Sequence, residues 1–180
     1  GDIVALELDG TGTTAINNNI SNLNNTGSGW QRAILLEGTS CVARGNTVSG
    51  LTTATGACSG IVSDGTSSAA TINGNTVSGL SSTGAAVVGA IASFGSGTNT
   101  IAGNTIDNIV SNLAGSTVSL GIRADGGGSG TFNITNNMVS KVVANASNIT
   151  TGGVRGISLE GGAVGRVFNN TVYLTGTSTN

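Results

Sequence analysis

The apolar and polar positions of the chain repeat around an asparagine. In each copy an Asn is followed two residues later by Ile or Val, and in five copies another apolar residue comes three positions further on. Successive copies lie 28, 29, 29, 33 and 33 residues apart, and a nearly fixed period of this size is typical of proteins built from stacked repeats. The six anchor asparagines are Asn18, Asn46, Asn75, Asn104, Asn137 and Asn170.

A second motif alternates with the first and consists of a small residue, an aliphatic residue, two variable residues, an acid and then Gly. The aliphatic position is predicted to face a core and holds Leu6, Ile34, Ile61, Ile91, Ile122 and Ile157. Phe94 takes the place of the acid in the fourth copy. In the other copies the acidic position holds Asp9, Glu37, Asp64, Asp125 and Glu160.

Each unit therefore contains short β-branched segments separated by Gly, Asn, Ser and Thr, a pattern that favours strands and excludes long helices. A unit of this kind buries its apolar face only by stacking on its neighbours. We therefore predict an all-β fold, a right-handed parallel β-helix or β-solenoid of about six coils of 28–33 residues, forming one domain over residues 1–180. Leucine-rich repeats are the main rival at this length, but their Leu-rich consensus is missing.

Insertions are concentrated in one corner of the predicted coil, whereas the rest of the unit keeps an almost constant length. A variable corner on a constant frame is where a solenoid is expected to contact ligands. The predicted variable corners are Asn24–Gln31, Thr52–Ser59, Ser81–Val88, Val110–Leu120 and Val143–Val154.

Composition removes several classes of function. Charged residues make up 8% of the chain and the net charge is −2, so we expect no nucleic-acid partner. No apolar run approaches the ~20 residues that cross a bilayer, and we expect no membrane insertion. The chain has no His, which excludes Ser-His-Asp and Cys-His catalysis within it. Cys41 and Cys58 suit either a disulfide or two small buried thiols.

The acidic positions are predicted to align as a stripe, because equivalent residues of stacked coils lie ~5 Å apart. Carboxylates at that spacing repel one another unless they are protonated, paired with cations or bridged by a metal ion. Arg32, Arg123 and Arg155 lie close enough in sequence to pair with them. The acids precede a turn Gly, which favours a structural role, and calcium is the one cofactor that the stripe suggests.

The remaining candidates favour structure over catalysis. The anchor asparagines are interpreted as a hydrogen-bonded ladder, since an amide is not a catalyst on its own. Lys141 is the only lysine and lies away from the acids in sequence, and Trp30 is expected to cover the core at the first variable corner. We therefore predict a chain without enzymatic activity. A Thr column suggests ice binding as a minor alternative, with Thr47, Thr76, Thr105 and Thr171 interrupted by Asn19 and Met138.

The unit resembles the right-handed parallel β-helix repeats of pectate-lyase-like proteins over the whole chain. More narrowly, residues 153–161 (GVRGISLEG) followed by residues 169–176 (NNTVYLTG) resemble repeats of very large secreted and cell-surface proteins of Bacteroidota, which are commonly exported by the type IX system. This resemblance implies an extracellular or cell-surface location in a bacterium.

The predicted coils run to both ends of the chain without a capping segment, so uncapped ends are expected. We interpret the chain as a section of a longer protein, with end-to-end stacked copies as the second option. The predicted function is that of a structural or adhesive stalk or filament, with surface glycans or other cell-surface proteins as candidate partners. The alternative is a β-helix that binds or degrades polysaccharides.

Overall fold

The computed structural model describes residues 1–64, 69–84, 87–112, 118–127, 129–144 and 153–175. These residues form short strands and no helix. In chain order the strands are β1 (Ile3–Leu8), β2 (Thr14–Ile16), β3 (Asn19–Ser21), β4 (Asn24–Asn25), β5 (Gln31–Leu36), β6 (Val42–Arg44), β7 (Thr47–Thr53), β8 (Cys58–Ser63), β9 (Thr71–Asn73), β10 (Thr76–Ser82), β11 (Val88–Ser93), β12 (Thr98–Ala102), β13 (Thr105–Ser111), β14 (Val118–Asp125), β15 (Thr131–Thr135), β16 (Met138–Ala144), β17 (Gly153–Glu160), β18 (Val164–Phe168) and β19 (Thr171–Tyr173).

The strands pair in parallel into three sheets. Sheet 1 contains β1, β5, β8, β11, β14 and β17, and sheet 2 contains β2, β6, β9, β12, β15 and β18. Sheet 3 contains β3, β7, β10, β13, β16 and β19, with β4 also paired to β7. Because each turn of the chain adds one strand to every sheet in the same order, the molecule is a parallel β-solenoid, and the predicted fold class is confirmed.

The coil count differs slightly from the prediction of about six. From β1 to β17 the chain makes five full turns, each placing a strand of sheet 1 directly against the previous one. The described part of the chain contains no helix that could span a membrane.

Stacked aliphatic side chains fill the space between the sheets. In sheet 1 the register aligns the predicted aliphatic column, Leu6 with Ile34, then Ile61, Ile91, Ile122 and Ile157. All six residues belong to the central core or pack against it. Sheet 3 contributes a matching column from Val48 to Val139, so each coil buries its apolar residues on equivalent residues of its neighbours.

The small residue before the aliphatic column has a steric reason. A Cβ atom added to Gly60 would lie 2.6 Å from Val77 Cγ1, across the interior on sheet 3. The same addition at Gly121 would collide with Val139, and at Gly156 with Val172. Even a methyl side chain therefore collides at these three positions, and the other three coils have Ala5, Ala33 and Ala90 at the equivalent place.

The two thiols are separate in the structure. Cys41 and Cys58 are both buried and free. Burial raises the pKa of the Cys58 thiol to about 12, so this side chain stays protonated and behaves as a small apolar group. Of the two options left open by the sequence, the structure has the pair of buried thiols.

Candidate functional site

The anchor asparagines form one hydrogen-bonded ladder at the corner between sheet 2 and sheet 3. In each step the side-chain amide of one Asn donates to Oδ1 of the Asn in the next coil, at 2.9 Å throughout. The backbone N–H of the same residue donates to the same oxygen at 2.9–3.0 Å. The ladder runs without a break through Asn18, Asn46, Asn75, Asn104, Asn137 and Asn170.

From Asn46 onward, each ladder amide also donates to a carbonyl of sheet 2 in the preceding coil. Asn46 Nδ2 donates to the carbonyl of Ala15 at 2.9 Å, and Asn75 Nδ2 donates to that of Ala43 at 3.0 Å. The four central asparagines are only 1–2% exposed. Their polar atoms are therefore used inside the corner, and the ladder holds successive coils together.

The residue before each ladder Asn allows the corner to turn. It has a left-handed backbone in every coil, with φ between 55° and 64°. The anchor Asn itself does not have this conformation in any coil. The left-handed positions hold Gly or Asn, the two residues that tolerate them best, namely Asn17, Gly45, Gly74, Gly103, Asn136 and Asn169.

The acidic residues lie along one edge of sheet 1, where they divide into two groups. At the later coils, Asp125 aligns with Glu160, and Arg123 contacts both, with Nη2 3.0 Å from Asp125 and Nε 3.1 Å from Glu160. Arg155 also pairs with Glu160. Arg32, the third predicted partner, lies 3.6 Å from Asp2 instead.

At the earlier coils the carboxyl groups lie near one another. Burial, a hydrogen bond with the Glu7 side chain, and the charges of Glu7, Asp64 and Asp9 raise the pKa of Glu37. This carboxyl therefore takes part in a carboxyl–carboxylate pair. Among the described residues, no group of three or more acidic or thiol side chains could hold a metal ion, so the geometry adds no support for calcium.

The outer face of sheet 1 carries a feature that the sequence analysis missed. Leu35, Val62 and Ala92 form a second apolar cluster on this face, separate from the central core, with Val4 and Phe94 packed against it. Next to this cluster lies an open groove lined by Trp30, Val62, Val87, Phe94, Leu120 and Arg123 among others.

Trp30 lies on the wall of this groove and is 46% exposed, rather than closing the central core. Three departures from the repeat lie together here: the only Trp of the chain, Phe94 in place of an acid, and Gly89 on the floor. This coincidence becomes visible only once the register is known.

The Thr residues after the ladder share one column on sheet 3. Thr47, Thr76 and Thr105 align directly, with Asn19 before them and Met138 interrupting the column before Thr171. The next outward column begins with Ser21, Ser49 and Ser78 rather than Thr. The surface therefore has a single Thr column and no regular two-column Thr array among the described residues.

The predicted variable corners lie between sheet 3 and sheet 1. Asn24–Gln31 and Thr52–Ser59 are described throughout, and their Trp30 and Ala57 contribute to the groove. Parts of the other three, residues 85–86, 113–117 and 145–152, lie outside the described residues.

No family model, curated protein or solved structure matches the chain. The fold therefore rests on the strand pairing described above, and the likeness to β-helix repeats of secreted Bacteroidota proteins stays a prediction.

Proposed function

We propose that this chain is a non-enzymatic structural section of a secreted or surface-attached bacterial protein, acting as a stalk or filament. The observation that carries the proposal is the unbroken asparagine ladder, which joins all the coils along the solenoid axis with two hydrogen bonds per step. In all three sheets, neighbouring strands come from successive coils, so the backbone hydrogen bonds of the sheets also join one coil to the next.

The mechanism is mechanical. A pull along the axis loads the hydrogen bonds of three sheets and the ladder together, because all of them point from one coil to the next. Separating two coils then requires breaking many bonds at once, and it also exposes the stacked aliphatic columns to water. Such a body resists extension while adding only ~4.8 Å of length per coil.

Axial contacts with further coils fit this role. The last coil exposes apolar side chains that earlier coils bury, including Val167 at 45% and Val172 at 44%, whereas their counterparts Ile134 and Val139 are fully buried. Burying these residues against a stacked copy of the chain would be favourable.

Single-molecule force spectroscopy tests the proposal. The exposed residues Thr11 and Arg166, in the first and last coils, are replaced by Cys and joined to handles. The buried native thiols react far more slowly. We expect the folded chain to resist axial force and then to rupture cooperatively, with Asn75→Ala lowering the rupture force.

Asn24→Ala is the matched control, because Asn24 is exposed and lies outside the ladder. It should leave the rupture force unchanged. Gradual extension at low force, or equal rupture forces for Asn75→Ala and the unmodified chain, would contradict a mechanical role for the ladder. Surface location is tested separately, by antibody labelling of intact cells of the source bacterium, where no labelling would contradict it.

A further inference from the structure

The outer faces of the first and last described coils are surfaces that the stalk role of a single chain leaves unused. The first end of the solenoid is formed by β1, β2 and β3, and the last end by β17, β18 and β19. Each of these strands lies at the edge of its sheet, where backbone N–H and C=O groups have no neighbouring strand to pair with. Each end can therefore pair with one more parallel coil.

Both ends expose apolar side chains of the inner columns. At the last end, Val167 and Val172 continue the inner columns of sheets 2 and 3 and are nearly half exposed. At the first end, Leu6 and Ile20 are only partly buried, whereas their counterparts in the second coil are fully buried. If the register continued from one copy to the next, Val172 would pack on Ile20 and Ile157 on Leu6, and each column would be buried as in the central coils.

The asparagine ladder has a direction, and its two ends are chemically different. In every step the donors belong to the earlier Asn and the acceptor, Oδ1, to the later one. Asn18 Oδ1 therefore accepts no hydrogen bond among the described residues. At the last end, the Asn170 backbone N–H has no acceptor in the described part of the chain, and its Nδ2 donates to the carbonyls of Ile134 and Phe168. The first end of the ladder thus offers an acceptor and the last end offers a donor.

This polarity selects the orientation of a second copy. Asn170 of one copy placed against Asn18 of the next repeats the two hydrogen bonds of every internal step. Two first ends in contact would instead bring two acceptors together, and their strands would run antiparallel. A contact between two different surfaces of the same chain does not close on itself, so its repetition extends a filament.

The charges at the two ends suit this orientation. Continuing the register places Arg155 diagonally opposite Asp2 of the next copy, much as Arg32 lies opposite Asp2 within the chain, 3.6 Å away. Glu160 would come next to Asp9, but its carboxylate already pairs with Arg155. Arg155 therefore compensates acidic groups on both sides of the contact.

We propose that copies of this chain stack head to tail, the last end of one on the first end of the next, into an unbranched filament one solenoid wide. The partner is a second copy because its first coil has the same outline, the same strand directions and the complementary end of the ladder. This inference concerns contacts between chains and goes beyond the stalk role, which a single chain fulfils.

Analytical ultracentrifugation of the full chain over a concentration series tests the stacking, with electron microscopy of the same samples. We expect the mean mass to rise without stopping at a dimer between about 1 µM and about 1 mM, and the filaments to be one solenoid wide. A mass of one chain throughout would overturn stacking, and a mass that stops at two chains would overturn the head-to-tail orientation. The stalk role is judged separately, by the rupture force of a single chain.

Val172→Lys tests the last end, because stacking would bury its ammonium group without a partner. We expect association at least about tenfold weaker than that of the unmodified chain. The matched control is Val164→Lys, which makes the same change in the same coil, in the outward column that contains Thr131. It should assemble like the unmodified chain, and equal assembly of the two variants would overturn the proposal.

A mixing experiment guards against a folding failure of Val172→Lys. The variant keeps an intact first end, so it still binds the last end of an unmodified chain and stops growth there. We expect a small fraction of the variant, shown to be folded by circular dichroism, to shorten filaments of the unmodified chain. Filaments of unchanged length would overturn the proposal.

Asn18→Ala tests the part of the ladder in the contact, because it removes the acceptor at the first end. We expect association about tenfold weaker. Asn19→Ala is the control, since Asn19 is exposed and lies outside the ladder. Equal association constants for these two variants would contradict a ladder that continues from one copy to the next.

Discussion

A ladder asparagine makes several buried hydrogen bonds with one short side chain. Asn75 accepts two from Asn46 and donates to Ala43 and to Asn104. Asn75→Ala removes the acceptor shared by the two Asn46 donors and the side-chain bond to the Ala43 carbonyl, all in a buried corner. We expect the free energy of unfolding to fall by about 3 kcal/mol, measured by denaturant titration with circular dichroism.

Asn24→Ala shows whether the loss of stability is specific to the ladder or follows from removing any side-chain amide. Asn24 is exposed and accepts one bond at 3.2 Å from Thr52, so its removal should change stability by less than about 0.5 kcal/mol. Similar losses for the two variants would show that the ladder contributes no more than a surface amide does.

Lys141 occupies a backbone conformation that its side chain disfavours. Its φ is 49°, at a position of sheet 3 where Gly50, Gly79 and Asn108 have similar values in the earlier coils. We expect Lys141→Gly to raise the free energy of unfolding by about 1 kcal/mol, because the left-handed strain is relieved. The measurement is again denaturant titration.

Lys141→Ala is the control for the lost ion pair, since Lys141 Nζ lies 3.5 Å from Asp107 and both side chains are well exposed. Alanine keeps the left-handed strain and should leave stability within about 0.5 kcal/mol of the original. If Ala stabilises the chain as much as Gly does, the backbone conformation is not the cause.

At this scale the sequence identified the ladder positions but not the residue that turns the corner. A recurring Asn is visible in a single sequence. The left-handed position holds Gly in three coils and Asn in the other three, and what these residues share is a positive φ, which is seen only in the structure. Asn169 and Asn170 are neighbours with different roles, one turning the chain and the other bonding to Asn137, and spacing alone does not separate them.

At the scale of the elements, the acidic edge of sheet 1 makes stability depend on pH. Burial and the neighbouring Glu7, Asp64 and Asp9 raise the pKa of Glu37 above its ordinary value of 4.5. The folded state therefore holds a proton that the unfolded state releases between 4.5 and the raised pKa. The resulting stabilisation is fully present below this window and is lost as the pH rises through it.

We expect the free energy of unfolding to fall with rising pH across that window, and Glu37→Gln to flatten this slope and to be the more stable form at pH 7. Denaturant titrations at a series of pH values measure both. Arg166→Gln serves as the control, because the exposed guanidinium stays charged throughout. A slope in Glu37→Gln equal to that of the original chain would assign the pH dependence to another group.

For this acidic edge of sheet 1, the sequence predicted the position of the acids correctly and their Arg partners only in part. The acids do lie along one edge, because the period of the motif fixes their place in each strand. Their partners were predicted less well: Arg123 and Arg155 contact the stripe, but Arg32 lies against Trp30. Which neighbour a long Arg side chain selects depends on the outer surface of the sheet, and the groove on that surface arises from a missing side chain at Gly89.

At the scale of the whole molecule, the period was sufficient to predict the fold. A unit of 28 to 33 residues with two alternating apolar motifs has few ways to bury both, and parallel stacking is the one that aligns like residues. The number of turns was predicted less accurately, because the six copies of the motif were counted as coils, whereas six strands of sheet 1 are separated by five full turns.

Stacking also predicts how the cost of a core substitution varies along the axis. Ile91 lies between Ile61 and Ile122 and is fully buried, whereas Leu6 packs against Ile34 on one side only. Ile91→Ala should lower the free energy of unfolding by about 4 kcal/mol and Leu6→Ala by about 2 kcal/mol, because the first leaves a closed cavity and the second a site open to water.

Denaturant titration of the two variants measures this difference, and hydrogen exchange locates it. In a chain whose coils interact only with their neighbours, Leu6→Ala should speed exchange in the first coils and leave β11 and β14 protected, while Ile91→Ala should speed exchange in both directions from β11. Equal losses of stability together with uniform exchange would instead describe a body that unfolds as a single unit, in which the position of a coil along the axis has no effect.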